Sequence, residues 1–259
     1  DEAGTAITTG DFNTALGQNA LATASTGYGN TALGYGAGYS VTTGIYNTLI
    51  GTNAGDVLTD ADYNVAVGYG TLGADTLGSR SVALGYNSLT TQNFTSATDV
   101  YNTAVGFGAG SAITTGTSNT LIGGLSGDSL TTGNNNVAVG VNSLTTDTLG
   151  DRNVAVGVAA LSVQNFASTT DSYNTAVGYE AGAKITTGIR NTLVGGASGD
   201  SITDADYNVA IGMNTLSANT VGSRNTAVGY TALAAVNPAS AADTYNTAVG
   251  YVAGNAVTT

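Results

Sequence analysis

The sequence contains no cysteine, no histidine and no tryptophan, and it has a single proline in 259 residues. Without cysteine, neither disulfide bonds nor thiolate metal sites can form. Without histidine, the commonest general base and metal ligand is missing. Glutamate occurs only at Glu2 and Glu180, so the usual nucleophile–base arrangements cannot be assembled within the chain. We therefore expect a protein that is not an enzyme and that holds no cofactor and no metal.

Basic residues are scarce as well, since 5 lysines and arginines stand against 17 acidic residues, for a net charge of −12. Binding to nucleic acid requires clustered basic residues that replace the counterions of the phosphates. No apolar run approaches the roughly 18 residues of a membrane-spanning helix. The sequence therefore predicts no nucleic-acid partner and no membrane span. Because it opens without methionine and stops within a repeat, we expect a segment of a longer protein.

What the sequence has instead is one five-residue motif, Asn-Thr/Val-Ala/Leu-Val/Ile/Leu-Gly, in 14 copies. Successive copies start 17 residues apart, apart from three steps of 21, and three steps of 17 with one of 21 give a superperiod of 72. Positions are numbered here from the first residue of each motif, position 0. The motifs start at Asn13, Asn30, Asn47, Asn64, Ser81, Asn102, Asn119, Asn136, Asn153, Asn174, Asn191, Asn208, Asn225 and Asn246.

A fixed short period is typical of a solenoid, in which each repeat contacts mainly its neighbours. The motif alternates as a strand does, and β-branched residues with a closing glycine argue against a helix. The sequence predicts an all-β, parallel β-solenoid of about fourteen coils of 17–21 residues, continuous over residues 1–259. We expect positions +1 and +3, such as Val65 and Val67, to face the core of the coil and the alanine at +2 to face outwards. Apolar residues at +11, such as Val41 and Leu58, predict a second short strand.

The asparagines at position 0 are predicted to stack into an amide ladder, as identical side chains do on stacked strands. The ladder is assigned to Asn30, Asn47, Asn64, Asn102, Asn119, Asn136, Asn174, Asn191 and Asn208. The glycine that closes the motif is expected at a turn that needs a positive φ or a close approach of two backbones.

The three longer coils carry four extra residues, which we expect to protrude once per superperiod. They lie near Gln92-Asn93-Phe94, Gln164-Asn165-Phe166 and Val236-Asn237-Pro238. An arginine precedes the motif in each of these coils, and we expect it to pair with a carboxylate of an adjacent chain. These arginines are Arg80, Arg152 and Arg224.

Tyrosines cluster directly before the motif and directly after its glycine. Stacked aromatic rows stabilise neighbouring coils, and aromatic faces beside Asn and Asp also hold sugars, so both uses stay open. The predicted glycan contacts are Tyr35, Tyr69, Tyr86, Tyr179 and Tyr230. The recurring aspartates, such as Asp56, Asp128 and Asp200, are interpreted as turn caps that keep the surface soluble rather than as calcium ligands.

The motif, as in Asn174-Thr-Ala-Val-Gly178, resembles the Asn-Ser-Val-Ala-Ile-Gly repeat of trimeric autotransporter adhesin heads and the repeats of phage and bacterial tail fibres. The resemblance covers essentially the whole chain. It implies a β-roll in which three chains pack side by side as a shaft or adhesive head, outside the cell or on a virion. A stripe of outward-facing alanine would also favour packing against copies of the chain.

We therefore expect a structural fibre protein, the shaft or adhesive part of a homotrimeric surface appendage or tail fibre. Three alternatives stay open on the sequence. The chain could be a subunit of a self-assembling extracellular filament, a monomeric solenoid that binds ice or glycan, or a tailspike-like glycan hydrolase with a carboxylate pair formed between chains.

Overall fold

The computed structural model describes residues 2–259, and within that range the regular secondary structure is entirely β. Fourteen strands of three residues occupy positions +1 to +3 of the fourteen motifs. They are β1 (Thr14–Leu16), β2 (Thr31–Leu33), β3 (Thr48–Ile50), β4 (Val65–Val67), β6 (Val82–Leu84), β8 (Thr103–Val105), β9 (Thr120–Ile122), β10 (Val137–Val139), β12 (Val154–Val156), β14 (Thr175–Val177), β15 (Thr192–Val194), β16 (Val209–Ile211), β18 (Thr226–Val228) and β20 (Thr247–Val249).

Six further strands of two residues belong to the longer coils and the coils that precede them. They are β5 (Gly78–Ser79), β7 (Thr98–Asp99), β11 (Gly150–Asp151), β13 (Thr170–Asp171), β17 (Gly222–Ser223) and β19 (Ala242–Asp243). They form three small parallel pairs, β5 with β7, β11 with β13 and β17 with β19.

The chain divides into two compact units, Asp1–Thr132 and Gly133–Thr259. In the first unit the sheet order is β1-β2-β3-β4-β6-β8-β9, and in the second it is β10-β12-β14-β15-β16-β18-β20. Within each unit every strand pairs in parallel with the strand of the next coil, and equivalent positions face each other, as in Thr31↔Thr48. The predicted all-β parallel β-solenoid of about fourteen coils is confirmed.

The backbone repeats as strictly as the sequence, with four positive-φ residues in every coil at positions −1, +4, +6 and +8. One coil shows the pattern in Tyr46 (φ 56°), Gly51 (130°), Asn53 (54°) and Gly55 (56°). Only +4 demands glycine throughout, because a Cβ at Gly51 would lie 2.4 Å from the carbonyl oxygen of Gly68 in the next coil. The predicted role of this glycine in close backbone approach is therefore confirmed.

The core lies behind position +2, which is fully buried in twelve coils and half-buried at Ala15 and Ala248. Positions +1 and +3 are half-buried or exposed in every coil. The expected orientation of the strand is therefore wrong: the alanine faces inwards and the larger aliphatic side chains face outwards. The reason is steric, because a side chain larger than alanine at +2, as at Leu49, is found only where glycine stands at +8 in the same and the preceding coil.

Leucine replaces alanine at +2 once per superperiod, and it occupies space that glycine leaves free. A Cβ at Gly38 would lie 2.7 Å from Leu49 Cδ1, and a Cβ at Gly55 would lie 2.8 Å from Leu49 Cδ2. Where +8 is leucine, as at Leu72 and Leu89, position +2 returns to alanine. Large and small residues thus alternate so that the interior stays filled.

The residues at +11 are buried as expected, yet they do not form the predicted second strand. These residues lie between a chain of turns and the bend that follows, and the N–H of Val41 donates to the carbonyl of Gly38; they are Val41, Leu58, Ile113, Leu130, Ile185 and Ile202. A turn closed within the coil replaces a strand because positive-φ residues at +6 and +8 keep reversing the chain direction.

The extra residues of the longer coils protrude only in part. Gln92 is fully buried and Phe94 is 8% exposed, whereas residues 95 and 96 are exposed. The same division holds for Gln164 and Phe166 in the second copy. The exposed part of each insertion is therefore the asparagine and the short segment after the Phe or Pro, while the residues on either side of the asparagine are buried.

Candidate functional site

The nine asparagines assigned to the ladder are all buried, with exposure of at most 1%. Their side chains bridge successive coils: the N–H of Asn47 donates to Asn30 Oδ1 at 2.9 Å, and Asn47 Nδ2 donates to the carbonyl of Ala61 at 2.7 Å. The same bond from the backbone N–H to the asparagine of the preceding coil recurs at Asn64, Asn119, Asn191 and Asn208. These amides satisfy the backbone at each coil corner, and they are closed to a ligand.

The longer coils modify the ladder in a coordinated way. Asn153 Oδ1 accepts hydrogen bonds from the hydroxyl of Ser172 at 2.8 Å and from the N–H of Asn174 at 3.2 Å. Asn225 Oδ1 accepts a hydrogen bond from the hydroxyl of Thr244 in the same way. Ser81 replaces the asparagine in the first long coil, and there the apolar Val100 replaces the hydroxyl donor. The hydroxyl donor and the asparagine acceptor are thus present together in the second and third long coils and absent together in the first.

A buried aspartate and a buried glutamine occupy the core at +11 in the first two superperiods. Gln92 Nε2 donates to Asp75 Oδ2 at 2.5 Å, and Asp75 Oδ1 accepts from the N–H groups of Gly78 and Phe94 at 3.0 and 3.1 Å. Burial raises the pKa of the Asp75 carboxyl, and the hydrogen bond from Gln92 opposes that rise. Gln164 donates to Asp147 at 2.6 Å, and burial raises the pKa of Asp147 likewise.

The third superperiod replaces this network as a set. Asn219 stands for the aspartate, Val236 for the glutamine and Pro238 for the phenylalanine. Proline has no N–H to donate, and the valine has no amide, so a carboxylate here would lack two of its three donors. Asn219 instead bonds to Gly222, accepting from its N–H at 2.8 Å and donating to its carbonyl at 2.7 Å.

The arginines before the motif form ion pairs within the chain rather than with a neighbouring chain. Arg80 Nε lies 2.8 Å from Asp99, Arg224 Nε lies 2.8 Å from Asp243, and Arg152 pairs with Asp171. The hydrogen bond that Arg80 donates to Asp99 is the largest cause of the raised pKa of Arg80. The expected interchain pairing is therefore wrong for these carboxylates, which the extra residues of the long coil bring within reach.

The same arginines belong to a row of aromatic and cationic side chains at position −1. Arg80 lies over Tyr63 at 4.9 Å and Tyr101 at 6.0 Å, and Arg224 lies over Tyr207 at 4.8 Å and Tyr245 at 5.9 Å. Guanidinium groups held over ring faces are attracted to the electron-rich faces of the rings, which holds the side chains of this row together. The row is a structural seam between coils.

The predicted glycan-contact tyrosines all lie in a second row, at position +5, and all are exposed. Tyr69 stacks on Tyr86 with ring centres 5.3 Å apart, and Tyr86 stacks on Phe107 at 5.3 Å. Tyr230 stacks on Tyr251 at 5.4 Å. Tyr35 is separated from Tyr69 by the coil of Thr52, and Tyr179 lies two coils before Met213 with Gly196 between them. Of the five tyrosines, only Tyr69 and Tyr86 therefore share a cluster.

Two adjoining hollows run beside this row in the first unit, with volumes of about 360 and 240 Å³. Tyr35 and Tyr39 line the first, Tyr69 and Asn87 line the second, and Asn53 and Asp56 line both. Burial raises the pKa of Asp56. Tyr39 and the two asparagines were missed by sequence reasoning, although the alternation of Asn and Gly at +6 from Asn19 to Gly108 is visible in the sequence. A further groove beside Tyr86 and Phe107 is more apolar and is lined also by Leu125.

The strand face, defined as the residues at positions +1 and +3, is the other exposed feature of each unit. Position +3 is always Leu, Ile or Val, and position +1 is always Thr or Val. Leu33 is 43% exposed and Ile122 and Ile211 are each 39% exposed. The strand face contains no charged residue in any coil, although the chain carries 22 charged residues elsewhere. It is a surface suited to contact with another apolar surface.

Two aspartates at equivalent turns, Asp62 and Asp206, accept hydrogen bonds from the backbone of the preceding coil. Asp62 Oδ1 accepts from the N–H of Ile45 at 2.8 Å, and Asp206 Oδ1 accepts from the N–H of Ile189 at 2.8 Å. Within residues 2–259, no three acidic side chains are grouped so that they could hold a metal ion. Over the same range, no helix is long and apolar enough to cross a membrane.

Comparison with known proteins gives no assignment. No protein-family model matches the chain, and no curated protein and no solved structure matches it significantly.

Proposed function

We propose that the protein is a structural fibre protein, the shaft or adhesive part of a homotrimeric surface appendage or tail fibre. The single observation that carries the proposal is the strand face, a half-buried to exposed surface of Thr, Val, Leu and Ile that has no charge in any coil. The number three and the extracellular or virion location come from the resemblance of the motif to adhesin-head and tail-fibre repeats.

The strand face replaces outward-facing alanine as the basis for self-association. Full burial of a Val, Leu or Ile side chain contributes roughly 1.5–3 kcal/mol, and the half-exposed side chains at +3 retain part of that gain. Because the register is unbroken, the same contact recurs in each coil, and many small contributions add up along the stack. An adjacent copy of the chain offers a surface with the same spacing, which few other partners would.

The role we propose is mechanical and requires no catalysis. The repeating element is stiff because of the asparagine ladder, the filled coil interiors and the row of tyrosines and arginines at position −1. Its exposed loops and tyrosines provide repeated weak contacts. The negative charge, which lies off the strand face, discourages indiscriminate clumping of such elements. A self-assembling filament is the nearest alternative, and a monomeric ice- or glycan-binding solenoid is the next.

Multi-angle light scattering after size exclusion tests the proposal. We expect a mass near three times the 25.4 kDa of one chain. A ladder of growing masses would favour the filament. A mass of one chain that persists at high concentration would contradict self-association and favour a monomeric binder.

A further inference from the structure

We propose that the first unit binds a neutral glycan in the Tyr35–Tyr69 groove, the two adjoining hollows lined by Tyr35, Tyr39, Asn53, Asp56, Tyr69 and Asn87. This inference goes beyond the proposed shaft role and does not require self-association. The groove lies at positions +5, +6 and +9 of successive coils, outside the strand face.

The aromatic side chains of the groove provide platforms for sugar rings. Tyr35, Tyr39 and Tyr69 are 52%, 44% and 51% exposed. One face of Tyr69 is covered by Tyr86, but the intervening coil towards Tyr35 has Thr52 at this position, so no ring covers the other face. Two coils separate Tyr35 from Tyr69, about 10 Å at the usual strand spacing. Apolar ring faces of this kind favour the C–H faces of a sugar.

The polar side chains of the groove are available for hydroxyl groups. Among the described contacts, Asn53 and Asn87 make side-chain hydrogen bonds to no other residue, in contrast with the ladder asparagines, which are all committed to backbone. Asn53 lies over Gly36, where a Cβ would be 2.7 Å from its Oδ1, and Asn87 lies over Gly70 in the same way. Glycine at these sites leaves the space that the two amides occupy, and the amides offer both donors and acceptors.

The charge around the groove selects the class of glycan. Asp56 is a hydrogen-bond acceptor for hydroxyl groups, and Arg80 is the single basic residue of the first 132. A sialylated or sulfated glycan would therefore meet a carboxylate with no nearby lysine or arginine cluster to compensate it. A neutral oligosaccharide matches both the aromatic and the polar residues, and mixed aromatic and amide lining of this size is typical of small-ligand sites.

The corresponding coil of the second unit provides a natural comparison. Two superperiods after Asn53, Asp56 and Tyr69 stand Ala197, Asp200 and Met213. The aspartate is kept while the amide and the aromatic ring are lost. We therefore place the site in the first unit alone, and substitutions at the second-unit positions serve as matched controls.

The test begins with the intact chain on an array of neutral oligosaccharides printed beside their sialylated and sulfated counterparts. The neutral set contains desialylated glycoprotein glycans and fragments of neutral polysaccharides, so that the two sources are distinguished. We expect binding to at least one neutral class and at least tenfold weaker binding to its sialylated form. Failure to bind any neutral oligosaccharide, or a preference for the anionic set, would overturn the proposal.

Titration calorimetry with the best neutral oligosaccharide then compares groove variants with controls. We expect Asp56→Asn, Tyr69→Ser and Asn53→Gly each to weaken binding about tenfold or more, and glycine suits the positive φ of Asn53 (54°). Asp200→Asn and Tyr230→Ser should leave binding within twofold of the intact chain. Equal affinity in the groove variants, checked for folding by thermal unfolding, would contradict the site.

Light scattering on the same samples separates this inference from the proposed function. A monomer that binds neutral glycan would support the groove while contradicting the homotrimer. A trimer that binds none would support the shaft and overturn the groove.

Discussion

The most informative single residues are buried polar groups that change together. Asp75 accepts three hydrogen bonds from Gln92, Gly78 and Phe94, and the third superperiod removes the carboxylate together with two of those donors. Asn102 and Asn174 each donate a side-chain hydrogen bond to the glutamine of the preceding coil, and Val236 offers no such acceptor to Asn246. Leaving a buried polar group unpaired costs about 1–3 kcal/mol, so such networks are retained or replaced as a whole.

We predict that Asp75→Asn alone destabilises the chain by about 1–3 kcal/mol, because the new amide would face the Gln92 amide donor to donor. The double variant Asp75→Asn/Gln92→Val imitates the third superperiod, so it should be less destabilised than the sum of the single variants, with a coupling energy of about 0.5–3 kcal/mol. Denaturant unfolding of the four proteins measures this. Additive losses would show that the pair does not act as a unit.

A pH dependence follows from the same residues. Burial raises the pKa of Asp75 and Asp147 above the ordinary value of 3.8, so the folded chain holds these protons more tightly than the unfolded chain. The stability that they contribute is therefore complete below pH 3.8 and is lost as the pH rises through the folded pKa. Relative to a variant with both Asp–Gln pairs replaced by Asn–Val, the intact chain should lose stability as the pH rises from 3.8 through the folded pKa of these carboxyl groups. Thermal unfolding across that range measures the difference, and a relative gain with rising pH would contradict it.

At the scale of the coil, the repeated element is defined by backbone conformation as much as by side chains. Positive φ at −1, +4, +6 and +8 reverses the chain several times within one coil, and tolerant residues such as Asn and Gly recur at +6. The carbonyl of one +4 glycine lies against the α-carbon of the preceding one, which explains why the motif always ends in glycine.

Two adjacent glycines in one coil show which glycine position requires glycine and which does not. Gly195 has φ 132°, and a Cβ there would lie 2.6 Å from backbone atoms of Gly212, whereas a Cβ at Gly196 would meet nothing within 4 Å. We expect Gly195→Ala to destabilise the chain by about 3 kcal/mol or more. Gly196→Ala should stabilise it by about 0.4–1 kcal/mol through the unfolded state. Chemical denaturation of both variants compares them directly, and equal effects would contradict the account.

The repeat period predicted the coil, its register and the close approach at glycine, because each follows from spacing alone. The orientation of the strand could not be predicted, since alternation defines two faces without saying which faces inwards. Alanine at +2 was misleading, because small side chains suit both a crowded interior and a flat exterior. The intrachain partners of Arg80 and Arg224 depend on the path of the extra residues, which spacing does not determine. The Tyr35–Tyr69 groove depends on the space that Gly36 and Gly70 leave for the side chains above them, and only the structure reveals this space.

At the scale of the whole molecule, the distribution of charge is the central feature. Charged residues occupy the turns and the longer coils, while the strand face has none in either unit. Aliphatic side chains at +3 are half-buried or exposed in every coil, and a repeated apolar surface of this kind is unusual for a protein that stays monomeric in water. We therefore expect further copies of the same chain to cover the strand face.

The most direct measurement is light scattering on the intact chain and on two double lysine variants. Val177→Lys/Val228→Lys places charge on the strand face, and Ser168→Lys/Ser240→Lys places the same charge on exposed insertions. Both variants lower the net negative charge equally, so repulsion between chains cannot explain a difference. We predict about three chain masses for the intact protein and the insertion variant, and one chain mass of 25.4 kDa for the strand-face variant. An intact chain that is monomeric, or a strand-face variant that remains trimeric, would contradict the account.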